Sequence, residues 1–148
     1  MSTEAKTIRL FGKQMQVKQV RTHSGIELPS VAFLVTKKKL TESDVSPMQG
    51  RLLIPGYRKL YEFLSKQEKT SLETSKQGIR VTATDNDRRE YQLSLSKWPS
   101  LEKLVLNKGW MHVVHRNGLH EFDEIELWCY LQDDEMRFVV DICERHNH

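Results

Sequence analysis

Residues 79–95, IRVTATDNDRREYQLSL, carry the pattern on which the fold depends. Apolar residues alternate with polar ones from Ile79 to Ala83, and the alternation resumes from Tyr91 to Leu95. A period of two is typical of a half-buried β-strand, and the intervening Asp85-Asn86-Asp87 favours a turn. This stretch therefore predicts a β-hairpin with one face in the core.

The chain beyond this hairpin predicts one helix and three more strands. Leu104 to Leu106 is a short apolar strand. Gly109 to Arg116 places its apolar residues on one helical face, and Asn117-Gly118 then suits a left-handed helix end. Ile125 to Leu131 and Phe138 to Ile142 form a last pair of strands around a polar turn.

The chain before the hairpin predicts a second helix and further short strands. Val31 to Val35 and Arg51 to Ile54 are β-favouring apolar runs. Tyr57 to Leu64 has helical spacing of its apolar residues, whereas the polar stretch from Ser65 to Lys76 predicts a loop. Nearer the N-terminus, short strands are expected at Ile8 to Phe11 and Met15 to Val20, and a turn is expected at His23-Ser24-Gly25.

The segment between the two apolar runs has its own helix-start signal. Thr41 is a suitable N-cap, and Asp44 three residues later completes an acidic capping box. Pro47 follows, so at most one helical turn is expected here. The whole order is mostly antiparallel strands with two short helices and no βαβ rhythm, which predicts a mostly β member of the α+β class built as a barrel or curled sheet.

Composition limits the class of protein. The 148 residues suffice for one domain, with 38% hydrophobic and 29% charged residues. No apolar stretch approaches the roughly 20 residues of a membrane span, and the polar start does not resemble a signal peptide. Residues 1–116 hold 21 Lys and Arg against 11 Asp and Glu, whereas residues 117–148 hold 2 against 9. This split allows a basic region that faces phosphates, with the acidic end lying away from it.

The histidine, cysteine and tryptophan residues that could form a chemical site are interpreted as structural. His112 and His115 are three residues apart on the predicted helix, but no Cys or carboxylate pattern completes a zinc site, so a surface or half-buried pair is expected. Cys129 and Cys143 lie in apolar runs and are expected to be buried reduced thiols. We interpret Trp110 as a core residue.

Signals of catalysis are not found in the sequence. There is no phosphate-binding loop, no dinucleotide fingerprint and no nucleophile elbow. The acidic run Asp133 to Glu135 falls in an expected hairpin turn and is interpreted as a solvated loop. We therefore expect no enzyme activity, no cofactor, no metal and no small-molecule substrate.

Two sequence blocks resemble the plant B3 DNA-binding domain. The first is LTESDVSPMQGRLLIP at residues 40–55, and the second is YQLSLSKWPSLEKLVLNKGW at residues 91–110. The resemblance covers roughly residues 30–131, and the two blocks in this order are fairly specific. It suggests an N-terminal extension over residues 1–29, a B3-like domain over residues 30–145 and a frayed tail over residues 146–148.

The resemblance implies an open pseudobarrel of seven mainly antiparallel strands with two short helices. It also implies that two loop arms grip the major groove of double-stranded DNA in the nucleus, as in a transcription regulator. The first arm corresponds to residues 37–51 and the second to residues 97–103. The candidate DNA-binding residues are Lys37, Lys38, Lys39, Ser43, Gln49, Arg51, Lys97, Trp98, Ser100, Lys103 and Lys108.

The residue types suit these roles. Lysines neutralise phosphates, Gln49 suits adenine, and Arg51 suits guanine or a phosphate. Pro99, Leu101 and Glu102 in the second arm depart from the family pattern and leave a second hypothesis open. In that alternative the chain is a B3-fold protein-interaction module with weak or lost DNA binding. A third, weaker hypothesis is a nuclease, because the pseudobarrel also resembles the DNA-recognition part of some restriction endonucleases.

Overall fold

The computed structural model describes residues 6–10, 13–17, 19–98 and 103–146, and for the first two ranges it describes the backbone. The described strands are β1 (Lys6–Leu10), β2 (Lys13–Val17), β3 (Val20–Arg21), β4 (Glu27–Leu28), β5 (Phe33–Lys39), β6 (Leu52–Ile54), β7 (Ile79–Thr84), β8 (Glu90–Trp98), β9 (Lys103–Asn107), β10 (Glu124–Gln132) and β11 (Glu135–Glu144). The described helices are α1 (Glu42–Val45), α2 (Arg58–Phe63), α3 (Lys66–Thr74) and α4 (Trp110–Asn117).

Seven strands form one sheet in the order β5-β10-β11-β7-β8-β9-β6. Five of its six neighbouring pairs are antiparallel, and β11 with β7 is the parallel pair. The sheet curls into a nearly closed barrel, which confirms the predicted pseudobarrel. Because β5 and β6 are the two edges of the sheet, the segment that joins them lies at the opening of the barrel.

The predicted central hairpin is confirmed as β7 and β8. Ile79 pairs with Leu95 and Val81 with Leu93, so the alternating apolar residues of both strands share a face. Val81, Leu93 and Leu95 are buried in the main core. Trp110 and Phe138 are the largest fully buried side chains, which confirms the core role predicted for Trp110.

The backbone conformation explains why glycine stands between Lys108 and Trp110. Lys108 and Gly109 both have positive φ angles, of 47° and 125°. A Cβ atom at Gly109 would lie 2.5 Å from the carbonyl oxygen of Gln92, so only glycine fits between β8 and the start of α4. Gly109 thus directs Trp110 into the core. Gly118, with a φ of 58°, ends α4 as predicted.

The prediction of a polar loop over residues 65–76 was wrong. α3 occupies this stretch, and it begins with a capping box in which Ser65 and Glu68 exchange hydrogen bonds. Leu72 is the buried residue of this helix. One buried apolar residue leaves almost no helical periodicity in the sequence, but the cap and the contact with the core are enough to form a helix. With α1, the described chain therefore has four short helices and not two.

The start of β5 also differs from the prediction. The backbone N–H of Ala32 donates to the carbonyl of Pro29 (2.9 Å), which closes a turn over residues 29–32. Val31 lies in this turn and is 66% exposed. The strand therefore begins at Phe33 and extends through the three lysines to Lys39.

The N-terminal residues form two small hairpins, β1 with β2 and β3 with β4. Leu28 and Ala32 pack with Val139 of β11 in a second small core, with Trp128 half-buried beside it. The segment from β3 to residue 32 is therefore packed on the outside of the barrel. At the other terminus, the His146 N–H donates to Asp123 Oδ1 (2.7 Å), and residues 147–148 lie outside the described ranges.

The two cysteines, the two helical histidines and the acidic turn differ in how far they are buried. Cys129 and Cys143 are both free thiols, and Cys129 is buried, but Cys143 is only half-buried because the end of β11 is partly open to solvent. Burial raises the pKa of the Cys129 thiol. His112 and His115 are exposed on α4, and the 133–135 turn is exposed as predicted. The longest described helix has nine residues, so none of the described helices is long enough to cross a membrane.

Candidate nucleic-acid interface

The first arm, residues 37–51, is shaped by local hydrogen bonds. Asp44 accepts from the Thr41 N–H (2.8 Å), while the Asp44 N–H donates to the Thr41 hydroxyl, as the capping box predicts. After α1, the N–H of Gly50 donates to the Ser46 carbonyl (2.9 Å). Gly50 has a φ of 60°, a backbone conformation that glycine adopts without strain. The arm is thus a short helix followed by a closed turn.

The Asp44 carboxylate is the centre of a buried ionic cluster, which we call the Asp44 cluster. Asp44 is completely buried, and its Oδ2 lies 2.9 Å from Lys38 Nζ. Arg51 Nη1 lies 3.4 Å from Oδ1, at the other end of the arm. The two cations that flank the arm in the sequence therefore meet at one carboxylate beneath it.

The Asp44 cluster also joins the two edges of the sheet. Lys38 Nζ, on β5, donates to the carbonyl of Leu53 on β6 (2.6 Å). The Leu53 N–H donates to Asp44 Oδ1 (3.2 Å). These side-chain contacts satisfy backbone groups that edge strands would otherwise leave unpaired. They close the opening of the barrel where β5 and β6 do not pair directly.

Burial lowers the pKa of the Lys38 ammonium, although the hydrogen bond and the charge of Asp44 act in the opposite direction. The cluster is anchored from below by Trp110, whose indole N–H donates to the Asp44 carbonyl (2.7 Å).

Sequence reasoning treated Asp44 only as a helix cap and so missed its central position. The signal was available in the three charges at positions 38, 44 and 51, but their convergence depends on the tertiary fold.

Arg51 connects the two arms. Its side chain is largely buried, its Nη2 donates to Ser43 Oγ (3.2 Å), and its guanidinium lies 5.1 Å from the centre of the Trp98 ring. Such a cation–π contact orients both groups. Trp98 is the last residue of β8 and lies near the start of the second arm, residues 97–103. The base of the first arm is therefore in contact with the base of the second.

Other predicted residues of the first arm are exposed. Successive residues of a strand point to opposite faces, and Lys38 points toward Asp44. Its two neighbours, Lys37 and Lys39, therefore point away from the Asp44 cluster and are exposed. Gln49 is also exposed, next to Met48, which is 92% exposed. This outer surface offers two cations, an amide and an apolar side chain.

The acidic part of the chain is not fully separated from the first arm. β10 lies beside β5, so Glu124 is paired in register with Lys39. The Lys37 ammonium is 3.8 Å from the Glu124 carboxylate. The expectation that the acidic end lies away from the basic region is therefore wrong on this side of the barrel. Because Lys37 is almost half exposed, this ion pair is easily exchanged for another anion.

The second arm is described only at its two ends. Residues 99–102, including Ser100, Pro99, Leu101 and Glu102, lie outside the described ranges. Lys97 Nζ lies 2.6 Å from Glu73 Oε1 on α3, so this lysine faces the helices. Lys103 is half-buried and paired with Trp98. Lys108 is at the opposite end of β9 from Lys103, and its ammonium contacts the Gln77 amide oxygen.

The structure divides nine of the eleven predicted residues into three groups, while Ser100 lies outside the described ranges and Lys103 is the half-buried strand partner of Trp98. Lys38, Ser43, Arg51 and Trp98 form a connected network at the base of the arms. Lys37, Lys39 and Gln49 are exposed on the first arm. Lys97 and Lys108 are bound to side chains on α3 and after it, and neither is brought into this network by a described contact.

The chain matches the model of one protein family over residues 12–143, described as B3 domain-containing protein At2g31720-like. It is 30% identical over 129 residues to the B3 domain-containing protein At2g24670 of Arabidopsis thaliana, covering 82% of this chain and 51% of the relative. It is 31% identical over 116 residues to the putative B3 domain-containing protein At3g49610 of the same plant, covering 66% of this chain and 34% of the relative. The chain therefore spans between a third and a half of the length of these relatives.

Solved structures agree on the fold. The FUS3 chain in the Arabidopsis FUS3–DNA complex superposes with a TM-score of 0.56 at 19% identity, covering 78% of this chain and 100% of FUS3. The Arabidopsis transcription factor LEC2, also in a DNA complex, superposes with a TM-score of 0.54 at 19% identity, covering 74% and 93%. The predicted resemblance is confirmed, and the chain belongs to the B3 domain-containing protein At2g31720-like family.

Proposed function

We propose that this protein binds double-stranded DNA through the exposed surface of its two arms and acts in the nucleus as a transcription regulator. The observation that carries the proposal is the first arm itself, in which exposed Lys37 and Lys39 stand on a rigid base formed by the Asp44 cluster. A fixed arm holds its cations in place before DNA arrives, which lowers the entropy cost of binding. Two B3-fold neighbours, FUS3 and LEC2, have been solved in DNA complexes, which supports the same partner here.

The geometry suggests different roles for the residues of the first arm in binding DNA. Lys37 and Lys39 neutralise phosphates, and exposed Gln49 is the candidate for an amide contact with adenine. Met48, at the tip of the arm, suits an apolar contact such as the methyl group of thymine. Lys38 and Arg51 are positioning residues in this proposal, because both are held inside the arm by Asp44.

The test is fluorescence anisotropy of a labelled mixed-sequence duplex, titrated with protein at several salt concentrations. Replacing both Lys37 and Lys39 with Ala should weaken binding and reduce the slope of log affinity against log salt by about 2, roughly 1 for each lost phosphate contact. The matched control is a double Ala variant of Lys66 and Lys76, which are also exposed and carry the same charge. Its affinity should fall little, and its slope should be close to that of the unmodified protein.

Two results would contradict the proposal. If both double variants behave alike, only the total charge matters and the first arm is not the binding surface. If the unmodified protein does not bind even at low salt, the alternative of a protein-interaction module is favoured. Met48 supports that alternative, since a fully exposed methionine on a rigid arm also suits an apolar pocket of a protein partner.

A further inference from the structure

The turn over residues 22–26 is fastened to the outer face of the barrel by two buried carboxylates. The N–H of His23 donates to Glu126 Oε1 (2.8 Å), and Ser24 donates to Asp141 through its N–H (2.8 Å) and its hydroxyl (2.5 Å). Glu126 on β10 and Asp141 on β11 are partners in the antiparallel register and share one face. The turn therefore lies directly over a pair of acidic groups.

These two carboxylates are held by hydrogen bonds, and Lys37 on β5 is the register partner of Glu126. Glu126 Oε1 also accepts from the indole N–H of Trp128 (2.9 Å), and Asp141 Oδ1 accepts from the Asn86 amide (3.4 Å). Within the described ranges, neither carboxylate forms an ion pair with Lys or Arg. Two adjacent buried anions with no described Lys or Arg within ion-pair distance create a negative site, which a bound cation would stabilise.

Two further metal-binding groups meet these carboxylates. A ring nitrogen of His23, a carboxylate oxygen of Glu126 and Cys143 Sγ lie within 4.8 Å of one another. Cys143 is two residues after Asp141 on β11, which places both on one face, with Sγ 4.0 Å from Asp141 Oδ1. Ligand atoms of a tetrahedral zinc ion are about 3.4 to 3.6 Å apart, so the three side chains would have to approach one another by roughly 1 Å at most to bind one ion.

We propose that His23, Glu126 and Cys143 form a zinc site that joins the N-terminal segment to the barrel. An imidazole, a carboxylate and a thiolate together select zinc over magnesium or calcium, which prefer oxygen ligands alone. Both hydrogen bonds that Glu126 accepts from described residues end on Oε1, so Oε2 is available to the ion. On binding, the Cys143 thiol releases its proton to the buffer, and water completes the coordination. This proposal does not depend on DNA binding.

The test uses the full 148-residue chain, freed of metal with a chelator and titrated with Zn²⁺ and with Co²⁺. One equivalent of Co²⁺ should give the absorption of a tetrahedral site with a thiolate-to-cobalt band, and Zn²⁺ should displace it. The Cys143→Ser variant should lose the thiolate band. The His23→Ala variant should bind at least about 10-fold more weakly, since even groups that support ligands contribute this much.

His112→Ala is the matched control, because His112 is an exposed histidine on α4, away from this turn. It should bind Co²⁺ like the unmodified protein. Zn²⁺ should also raise the Tm of the unmodified protein and of His112→Ala, but not that of Cys143→Ser. The proposal is overturned if no thiolate band appears, or if His23→Ala binds as tightly as His112→Ala. Circular dichroism of each variant shows whether a loss of binding reflects a loss of fold.

Discussion

Two helices of this protein begin with the same hydrogen-bonded motif in different surroundings. At α1, Asp44 accepts from the Thr41 N–H, and at α3, Glu68 accepts from the Ser65 N–H, each at 2.8 Å. Asp44 is completely buried and holds two cations, whereas Glu68 caps its helix near the surface. The comparison shows that a local motif specifies a helix start, while burial decides how much of the fold depends on it.

The largest effect is expected at Asp44. The Asp44→Ala variant would leave Lys38 and Arg51 inside the protein without their shared anion. Removing one partner of a buried ion pair costs about 3–5 kcal/mol of the free energy of unfolding, because the remaining charge is uncompensated. Urea denaturation followed by circular dichroism measures this loss.

Glu42→Ala is the control for Asp44→Ala, since Glu42 is an exposed acid in the same first turn of α1. It should cost less than about 1 kcal/mol, the value of an exposed charge near a helix N-terminus. Equal losses in the two variants would show that the Asp44 cluster contributes no more than a surface cap. The comparison between the two helices would then fail.

Asp85 is a third carboxylate that can be compared with Asp44 and Glu68. It is buried like Asp44, but most of its partners are close to it in the sequence. Its oxygens accept from the Tyr91 hydroxyl (2.6 Å), Arg89 Nε (2.9 Å) and the Asn117 amide (3.2 Å). Burial acts to raise the pKa of the Asp85 carboxyl, but the hydrogen bonds from Tyr91 and Arg89 outweigh it and hold the pKa below its usual value. The ionised form is thus stabilised by folding.

The Asp85→Asn variant should lose about 2 kcal/mol of unfolding free energy at pH 7, because a hydrogen bond to a charged group contributes about 1.5–3 kcal/mol. The pKa is lower in the folded state, so this contribution is fully present above the unfolded value of about 3.9. It is lost as the pH falls through the folded value. Denaturation of both proteins between pH 7 and pH 2.5 should therefore show the difference shrinking below about pH 4.

Asp87→Asn serves as the comparison for Asp85, because Asp87 is an exposed carboxylate that also contacts Arg89 (3.2 Å). Its effect at pH 7 should stay below about 1 kcal/mol, as for other exposed ion pairs. A difference between the unmodified protein and Asp85→Asn that does not change with pH would exclude the ionised carboxylate as its source.

The smallest effect is expected at the cap of α3. Ser65→Ala removes the side chain that accepts from the Glu68 N–H (3.1 Å) and should cost about 1 kcal/mol. Gln67→Ala changes an exposed residue of the same turn without touching the cap, and it should be nearly neutral. A loss at Ser65 as large as that at Asp44 would mean that α3 is as central to the fold as the Asp44 cluster.

The sequence alone was enough to predict most of the strands, and the reason is periodicity. The hairpin of β7 and β8 has an apolar period of two, because Val81 and Ala83 in β7 and Tyr91, Leu93 and Leu95 in β8 are buried. The helix at α4 was equally clear, because Trp110, Val113 and Val114 all face the core. The sequence failed at α3, where Leu72 is the one buried residue and the remaining signal is a surface cap.

In the candidate site, too, some features could be predicted from the local sequence, whereas others depend on contacts between residues far apart in the chain. Residue types and spacing were sufficient to predict a capped helical turn at Thr41. The resemblance of two sequence blocks to the B3 domain indicated the family and implied the two arms. Only the tertiary structure decided that Lys38 and Arg51 turn inward while Lys37 and Lys39 stay exposed. The physical reason is that a cation's role depends on where its nearest anion lies. The anion for both inward cations, Asp44, is fixed beneath the arm by the meeting of β5, β6 and Trp110.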